Sequence, residues 1–266
     1  MTEFLCPVCR MALTRENNSY ICPSHHTFDV AKSGYINLLT ASKMNSKTPG
    51  DSKEMVGARR DFLDRGYYAP LRDALVKEAL TLGATVYFDA GCGTGYYTSA
   101  VADALGCECL GVDISKFATD IAAKRQKDAL FAVASVYDLP LENESVDLIT
   151  NVFSPMADSE YKRILKSGGH LLYVVPGPKH LFSLKEILYS EPYENEISYP
   201  EYDGFEEIKR IGCSFKMSLT SSGDIEHLFA MTPYFWRTPA GALEKIRSLD
   251  SLETDAEFYI TVLRKM

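Results

Sequence analysis

Two short cysteine-containing segments near the start of the chain have the composition of a metal site. Cys6-Pro-Val-Cys9 is followed, after twelve residues, by Cys22-Pro-Ser-His25-His26. Zinc favours four sulfur or nitrogen donors in a tetrahedron, and each segment supplies a pair. A redox Cys-x-x-Cys motif normally belongs to a βαβ unit, which is not the setting here, so the spacing favours zinc. His25 and His26 compete for the fourth position, and spacing alone does not choose between them.

A glycine-rich turn is the second segment suited to chemistry. Asp89-Ala-Gly91-Cys-Gly93-Thr-Gly95 follows an apolar run and precedes a helical pattern. Glycines at a strand-to-helix turn let the backbone approach a ligand closely. A dinucleotide fingerprint has the spacing G-x-G-x-x-G, whereas this turn has G-x-G-x-G, with an acid two residues before the first glycine. We expect that acid to face a positive ammonium group rather than a pyrophosphate.

Two more segments complete an ordered set. Asp113 ends the next predicted strand, where a carboxylate can accept from both hydroxyls of a ribose. Ala134–Pro140 follows the third strand, the place where such folds hold an adenine, although Ser135 stands where an acid is usual. Together the three segments match the S-adenosylmethionine-binding core of Rossmann-like methyltransferases. An NAD-dependent enzyme and a relic domain are the alternatives.

The turn after the fourth strand contains the candidates for contact with a substrate. It has the sequence Asn151-Val-Phe153-Ser-Pro155. Ligands of this fold bind at the carboxyl ends of the strands. An aromatic ring there can stack on an extruded base, and amide groups can recognise its edge. Asn151, Phe153 and Pro155 are therefore our catalytic candidates, and an ordinary strand-end turn is the alternative.

Two later segments are compatible with either a functional or a structural role. Pro176-Gly-Pro-Lys-His180-Leu181 is predicted to be a rigid turn, from which His180 could reach the methionine end of the cofactor. Met231-Thr-Pro-Tyr-Phe-Trp-Arg237 contains the chain's only tryptophan. Stacking on a base and simple core packing both fit the second segment.

The pattern of elements predicts how these segments are positioned. From residue 85 onward, strands and helices alternate, which is typical of a parallel sheet with helices on both faces. The runs 208–219 and 258–263 alternate like antiparallel strands at the edge of that sheet, with a helix over 223–231 between them. Helices are also predicted from residue 51 and over 70–82, and residues 40–52 are predicted to be a loop.

We therefore predict an α/β fold of the Rossmann-like class I S-adenosylmethionine-dependent methyltransferase type, preceded by a small zinc-binding module. The predicted division is a zinc module over 1–40, a linker and helices over 41–82, and the methyltransferase domain over 83–266. No stretch of about 18 apolar residues is present, and the start lacks the features of a signal peptide, so we expect a cytoplasmic protein. In that compartment, seven cysteines favour thiols or metal ligands over disulfides.

The charge distribution bears on the partner. The net charge is -8, which argues against nucleic acid, yet residues 1–80 hold 11 Lys/Arg and 9 Asp/Glu. The acidic excess thus lies after residue 80, and the first part tolerates a phosphate backbone. We expect a basic surface that runs from the zinc module to the mouth of the cofactor pocket: Arg10, Arg15, Lys32, Lys43, Lys47, Arg59 and Arg60.

The chain closely resembles the bacterial 23S ribosomal RNA guanine-N1 methyltransferases of the RlmA/RrmA family. The resemblance runs nearly end to end, through NSYICP, GYINLL, PGDS, ARRDFLDRGYY, DAGCGTGYYT, PGPKHL and MTPYFWR. It implies one structural zinc held by Cys6, Cys9, Cys22 and His26. It also implies that Tyr68, Tyr97 and Thr98 touch the cofactor, beside Asp89, Gly91, Gly93, Gly95, Asp113 and His180.

The same resemblance implies methylation of N1 of a guanine in the domain II hairpin of 23S rRNA called helix 35, with the zinc module gripping that RNA. Small-molecule methylation, methylation of another RNA base and a non-catalytic zinc-containing RNA-binding module are the alternatives. Asp138 and His180 are candidates for a general base. The sequence leaves open which of two neighbouring guanines is the target, whether the chain forms a homodimer, and whether methylation affects macrolide sensitivity.

Overall fold

The computed structural model describes residues 3–40, 49–196, 202–238 and 241–266. Within these ranges the chain forms a small three-stranded sheet and a mixed eight-stranded sheet that has helices on both faces. The predicted loop over 40–52 lies mostly outside the described residues, as do Lys43 and Lys47. The predicted division at residues 40 and 82 therefore stays a prediction. No helix of the described parts is both long and apolar enough to cross a bilayer.

The N-terminal part is an antiparallel meander with one extra connection. Its strands are β1 (Thr14–Glu16), β2 (Ser19–Ile21) and β3 (Thr27–Asp29). A fourth strand, β4 (Ile36–Asn37), leaves the meander and pairs in parallel with a strand of the large sheet. Strand β1 is short and exposed and β4 is only two residues long, so neither has a residue pattern that predicts a strand. Through β4 the N-terminal part becomes an edge of the main sheet.

The large sheet has the strand order that a Rossmann-like methyltransferase requires. Its remaining strands are β5 (Val86–Ala90), β6 (Glu108–Asp113), β7 (Leu130–Val133), β8 (Val146–Val152), β9 (Leu165–Pro176), β10 (Phe205–Leu219) and β11 (Leu252–Lys265). The order across the sheet is β10-β11-β9-β8-β5-β6-β7-β4. Strands β4 to β9 run parallel, whereas β11 and β10 add antiparallel to β9 and to β11. The predicted antiparallel edge is present, with longer strands than the sequence indicated.

Among the helices of the described residues, local sequence signals explain the bounds of the first two. The helices are α1 (Lys53–Asp64), α2 (Ala69–Leu82), α3 (Tyr96–Leu105), α4 (Lys116–Arg125), α5 (Asp158–Ile164), α6 (Phe182–Leu188), α7 (Ser222–Ala230), α8 (Tyr234–Arg237) and α9 (Ala242–Arg247). The side chain of Ser52 caps α1 by accepting the Met55 amide at 3.3 Å. Helix α2 has Pro70 in its first turn and ends at Gly83 in the left-handed conformation.

Alternation along the central strands separates two cores. Tyr87 and Phe88 are adjacent on β5, both fully buried, and belong to opposite faces. The Phe88 face packs with Phe4 and Leu13 of the N-terminal part. The zinc module is therefore packed against the large sheet through a shared hydrophobic core, and it does not depend on a metal alone for its position.

Candidate functional site

The predicted metal ligands are brought together in the structure. One donor atom each from Cys6, Cys9, Cys22 and His26 lies within 4.8 Å of the others. Nδ1 of His26 is 3.5 Å from Sγ of Cys6 and 3.3 Å from Sγ of Cys22. Such separations are close to the edge of a zinc tetrahedron, about 3.8 Å for metal–sulfur bonds of about 2.3 Å. The donor set therefore fits one zinc ion.

Two tight turns produce this arrangement. The amide of Arg10 donates to the carbonyl of Cys6, and the amide of His25 donates to that of Cys22, both at 2.8 Å. Arg10 and His25 each have a φ of 61°. The chain therefore reverses direction just after Cys9, and again between Cys22 and His26. His25 is exposed at the second reversal, and His26 is the histidine of the cluster. A backbone hydrogen bond from Met11 lowers the pKa of Cys9 to about 6, which favours the thiolate that a metal binds.

The glycine-rich turn joins β5 to α3, and its glycines have different roles. Gly91, Gly93 and Gly95 all have positive φ. A Cβ at Gly91 would lie 2.4 Å from Oγ of Ser154, and one at Gly95 would lie 2.9 Å from Cα of Ala122. A Cβ at Gly93 would meet nothing within 4 Å. Gly91 and Gly95 thus permit close packing of the protein on itself, whereas a side chain at Gly93 would extend into open space.

Asp89 is enclosed at the end of β5. It is 2% exposed, and its two carboxylate oxygens accept hydrogen bonds from the hydroxyls of Thr98 and Thr150. Burial raises the pKa of Asp89 to about 6, although these hydrogen bonds act in the opposite direction. Thr98 therefore holds Asp89 directly, and contact between Asp89 and an ammonium group stays a prediction.

Asp113 ends β6 and faces the open cleft beside this turn. Its carboxylate accepts the amide of Gly93 at 2.9 Å and the amide of Ser115 at 2.7 Å. These bonds orient the group, and each oxygen can still accept a second hydrogen bond. Burial raises the pKa of Asp113. The geometry suits the predicted contact with the hydroxyls of a ribose.

An open cleft lies at the carboxyl edge of the parallel strands, where this fold binds ligands. Its lining comes from the ends of β5, β6, β7 and β8: Gly91, Asp113, Ile114, Ala134, Ser135, Val136, Tyr137, Ser154 and Pro155. Gly91, Asp113 and Pro155 are predicted site residues, and Ser135, Val136 and Tyr137 belong to the predicted adenine segment 134–140. Ile114 and Ser154 were not predicted individually, and an apolar residue directly after a strand-end acid is the signal that could have identified Ile114. We name this space the cofactor cleft.

Two buried hydroxyl groups, one in the turn and one at the start of α3, support the fit of a polar ligand. Oγ1 of Thr94 and the phenol oxygen of Tyr97 are buried and have no hydrogen-bond partner among the described residues. Buried polar groups are seldom left unpaired in proteins. A cofactor with carboxylate, ammonium and hydroxyl groups could supply the missing partners.

The turn after β8 is organised by Asn151. Its amide nitrogen donates to the carbonyl of Pro155 at 2.9 Å and lies 2.8 Å from the hydroxyl of Tyr161. Its oxygen accepts the amide of Ser154 at 3.2 Å, and the side chain is fully buried. The amide of Asn151 is therefore engaged within the turn that it shapes, and a catalytic role for Asn151 stays a prediction.

Phe153, in contrast, is presented outward by that turn. Its φ is 58°, an uncommon value for an aromatic residue, and its side chain is 46% exposed. The ring contacts those of Tyr97 and Phe258 at centroid distances of 6.5 and 5.4 Å. Because Ser154 and Pro155 line the cofactor cleft, Phe153 stands at its border.

His180 and Tyr68 form a buried pair next to Phe258, which the ring of Phe153 also contacts. Nε2 of His180 is 3.3 Å from the hydroxyl of Tyr68, and Nδ1 accepts the amide of Glu257 at 3.3 Å. Burial lowers the pKa of His180 to about 3, with a further contribution from Lys185, so the imidazole is neutral and carries its proton on Nε2. Burial also raises the pKa of Tyr68 well above its usual range. A histidine with so low a pKa is a poor proton acceptor, which speaks against His180 as a general base.

The late aromatic segment contains one residue of the hydrophobic core and one at the surface. Tyr234 is buried in the core, whereas Trp236 is 66% exposed on the short helix α8. Nε1 of Trp236 is 3.0 Å from Sδ of Met55, so α8 lies against the start of α1. Core packing therefore explains Tyr234, and Trp236 is available at the surface.

Three residues chosen for the basic surface or for base catalysis are engaged within the protein. Arg59 forms an ion pair with Asp51 and donates to the carbonyl of Met231 at 3.2 Å. Arg10 forms an ion pair with Asp138. Arg59 and Arg10 are thus not simply exposed cations, and Asp138 is not a solitary carboxylate that could act as a general base. Arg15, Lys32 and Arg60 are exposed, although Arg60 pairs with its neighbour Asp61.

The segment before α1 lies against the residues that follow β6 beside the cofactor cleft. A Cβ at Gly50 would lie 2.9 Å from Cγ2 of Ile114, and the hydroxyl of Ser115 donates to the carbonyl of Asp51 at 3.0 Å. From sequence, this PGDS segment is part of the predicted loop over 40–52 and of the resemblance. Its contact with the end of β6 gives it a physical role.

Comparison with known proteins decides the family. A profile described as "RlmA, N-terminal", a zinc ribbon, matches residues 4–47, and one described as "Methyltransferase domain" matches residues 88–173. A putative 23S rRNA (guanine-N(1)-)-methyltransferase from Micromonospora griseorubida is 36% identical over 205 residues, covering 69% of this chain and 68% of that protein. The chain belongs to the RlmA family of rRNA guanine-N1-methyltransferases. The predicted fold class, the cofactor class and the zinc-binding module are confirmed with it.

Other similarities agree with membership of the RlmA family. The 23S rRNA (guanine(748)-N(1))-methyltransferase of Streptomyces fradiae is 39% identical over 189 residues, 69% of this chain and 66% of that protein. The putative enzyme YxjB of Bacillus subtilis is 28% identical over 97% of this chain and 96% of its own length. Among solved structures, the YcgJ protein of Bacillus subtilis shares the fold, with a TM-score of 0.50 and 18% identity over 73% of this chain and 97% of that one.

Proposed function

We propose that this protein methylates N1 of a guanine in 23S rRNA, using S-adenosylmethionine, and that the guanine lies in the domain II hairpin helix 35. The observation that carries the proposal is that one chain holds both a four-donor zinc cluster and a cleft at the carboxyl edge of a Rossmann-like sheet. A small-molecule methyltransferase would give no reason for the first, and a bare RNA-binding module would give none for the second. Membership of the RlmA family joins the two.

The proposed cofactor site is built from the ends of β5 and β6 and the aromatic residues beside them. It comprises Tyr68, Asp89, Gly91, Gly93, Gly95, Tyr97, Thr98, Asp113 and His180. S-adenosylmethionine supplies an electrophilic methyl group on a sulfonium centre. Asp113 would accept the ribose hydroxyls, and the hydroxyl of Tyr97 would find its missing partner on the ligand. Asp89 would supply negative charge near the methionine ammonium group.

Phe153 and Pro155 are the residues that we propose for the base. An extruded guanine needs a flat apolar surface to replace the stacking that it loses in the RNA. The exposed ring of Phe153 at the border of the cofactor cleft offers that surface. Asn151 is then a positioning residue, since it fixes the turn that presents the ring.

The reaction requires alignment, a desolvated pocket and loss of the N1 proton. Transfer of the methyl group to N1, with S-adenosylhomocysteine as the leaving group, would need no metal at the reacting centre. The zinc held by Cys6, Cys9, Cys22 and His26 is accordingly structural, as a closed four-ligand site suggests. Exposed Arg15, Lys32 and Arg60 are the cations that we retain for RNA contact.

A transfer assay tests this proposal. Unmodified 23S rRNA is incubated with the protein and methyl-labelled S-adenosylmethionine, and the labelled nucleosides are separated after digestion. The expected product is N1-methylguanosine. Label in another nucleoside would contradict the assignment to guanine N1, and label that enters only small molecules would favour the small-molecule alternative. Because the Streptomyces fradiae relative is named for guanine 748, that guanine and its neighbours are the first positions to examine. An rRNA substrate also implies a cytoplasmic location.

A further inference from the structure

The loop after β7 forms one wall of the cofactor cleft. Ser135, Val136 and Tyr137 line the cleft. The loop then turns sharply, because the amide of Asp138 donates to the carbonyl of Ser135 at 3.2 Å and the amide of Tyr137 donates to Oγ of Ser135 at 3.3 Å. Asp138 and Leu139 follow the lining residues directly, so whatever holds them sets the position of this wall.

The zinc module holds this loop from one side. Arg10 forms an ion pair with Asp138, and its Nη1 donates to the carbonyl of Leu139 at 3.0 Å. One residue further along the loop, the carbonyl of Pro140 accepts the amide of Leu5 at 2.8 Å. Three successive loop residues are therefore bound by the module that contains the zinc cluster.

Helix α5 and the core hold the same loop from the other side. The amide of Leu139 donates to Oε2 of Glu160 at 2.6 Å, and Nη2 of Arg163 donates to the carbonyl of Leu139 at 2.9 Å. The Leu139 side chain is fully buried. The loop is thus fixed between two elements, and Arg10 supplies the guanidinium on the zinc-module side.

The position of Arg10 depends on the first metal-binding turn. Arg10 directly follows Cys9, has a φ of 61°, and donates its amide to the carbonyl of Cys6 at 2.8 Å. The turn that gathers the two cysteine donors also aims the guanidinium at Asp138. Arg10 is 43% exposed and Asp138 28% exposed, so the pair is accessible to substitution without opening the core.

We infer that Arg10 is a positioning residue for the cofactor: by holding Asp138 and the carbonyl of Leu139, it fixes the wall of the cleft that meets the adenine end. The inference rests on the proposed function in taking this cleft as the S-adenosylmethionine site. It gives the zinc module a second role, since the module then shapes the cofactor site as well as contacting RNA.

Calorimetric titration of the full chain tests this inference. The probes are S-adenosylhomocysteine and 5′-methylthioadenosine, which share the adenosine part. Arg10→Ala should weaken both by a similar factor, about fivefold, because the substitution removes a charge-assisted bond and a bond to a carbonyl together. Arg264→Ala is the matched control, since it breaks a similarly exposed arginine–carboxylate pair, with Glu206, at the sheet edge opposite the cleft, and it should bind both probes like the wild type.

A double-mutant cycle separates positioning from general loosening. Asp138→Ala removes the partner without touching the zinc module, and the Arg10→Ala/Asp138→Ala variant should bind little worse than either single variant, because both substitutions break the same ion pair. Zinc content measured on each variant should equal that of the wild type. Unchanged affinity in Arg10→Ala and Asp138→Ala, or fully additive losses, would overturn the inference. Failure of the wild type itself to bind either probe would instead overturn the assignment of the cleft, and the proposed function with it.

Discussion

Asp89 is a buried acid, and we expect its ionisation to be coupled to the binding of a charged ligand. Burial raises its pKa to about 6, and two hydroxyl groups bind its oxygens. Because the pKa in the folded protein is raised, ionisation of Asp89 lowers stability as the pH rises through about 6. A cationic group of a bound cofactor would offset this cost by favouring the carboxylate.

The affinity for S-adenosylhomocysteine should therefore depend on pH. It should fall as the pH drops below about 6, where Asp89 becomes protonated and no longer attracts an ammonium group. Asp89→Asn should bind more weakly at neutral pH and show no such fall. Calorimetry over a pH series measures both, with the exposed Asp128→Asn as control. An affinity for the wild type that stays constant across this range would argue against the role of Asp89.

Gly93 allows a prediction with a closely matched control. Gly93 and Gly106 both have positive φ, 53° and 59°, and a Cβ at either would meet nothing within 4 Å. Gly93→Ala and Gly106→Ala should each lower the free energy of unfolding by about 1 kcal/mol, the cost of a side chain in this conformation. Only Gly93→Ala should weaken S-adenosylhomocysteine binding, since Gly106 caps the far end of α3. Equal affinities in the two variants would show that the space beside Gly93 is not used by the ligand.

Among the helices and strands, those with a regular residue pattern could be predicted from the sequence. The alternation of strands and helices, the antiparallel edge and the positions of the glycine-rich turn follow from residue periodicity and turn chemistry. Strand β4 could not be found this way, because two residues show no period, and its pairing with β7 depends on the tertiary fold. The internal role of Asn151 was also hidden, since spacing places a residue at a strand end but does not say which group its amide binds.

The two metal-binding turns give a prediction for the zinc ligands. His26→Ala should lose most of its zinc, because its Nδ1 lies among the cysteine sulfurs, whereas His25→Ala should retain it. Elemental analysis of freshly purified, unchelated protein measures this directly. Cys6 and Cys22 are buried in the core that the N-terminal part shares with β5 and β6, so loss of zinc should also lower the thermal stability. Retention of zinc by His26→Ala together with its loss in His25→Ala would reverse the assignment.

For the whole molecule, an acidic protein must bind an anionic substrate through a local surface. The net charge is -8, so attraction to RNA has to come from clustered cations. The structure narrows the choice of cations, because Arg10 and Arg59 pair with carboxylates of other segments, whereas Arg60 pairs only with its sequence neighbour Asp61. The zinc module and α1 still present Arg15, Lys32 and Arg60.

Removal of two of these charges should change RNA binding in a measurable way. The Arg15→Ala/Arg60→Ala variant should weaken binding of a 23S rRNA fragment and reduce the salt slope by about one for each phosphate that the protein no longer neutralises. Its affinity for S-adenosylhomocysteine should not change. The control is Lys77→Ala/Lys216→Ala, which removes two exposed charges from α2 and β10, outside the proposed surface. Equal slopes in the two double variants would contradict the proposed surface.

Mapping of the methylated position tests directly whether the protein methylates N1 of a guanine in helix 35. A 23S rRNA fragment that contains the helix 35 hairpin is incubated with the protein and S-adenosylmethionine, and then copied by reverse transcriptase. A methyl group on N1 blocks the Watson–Crick edge of guanine. We therefore expect a new stop at one guanine of the hairpin, and N1-methylguanosine in the digest of the fragment. Methylation of a different base, or methyl transfer that leaves the hairpin unmodified, would contradict it.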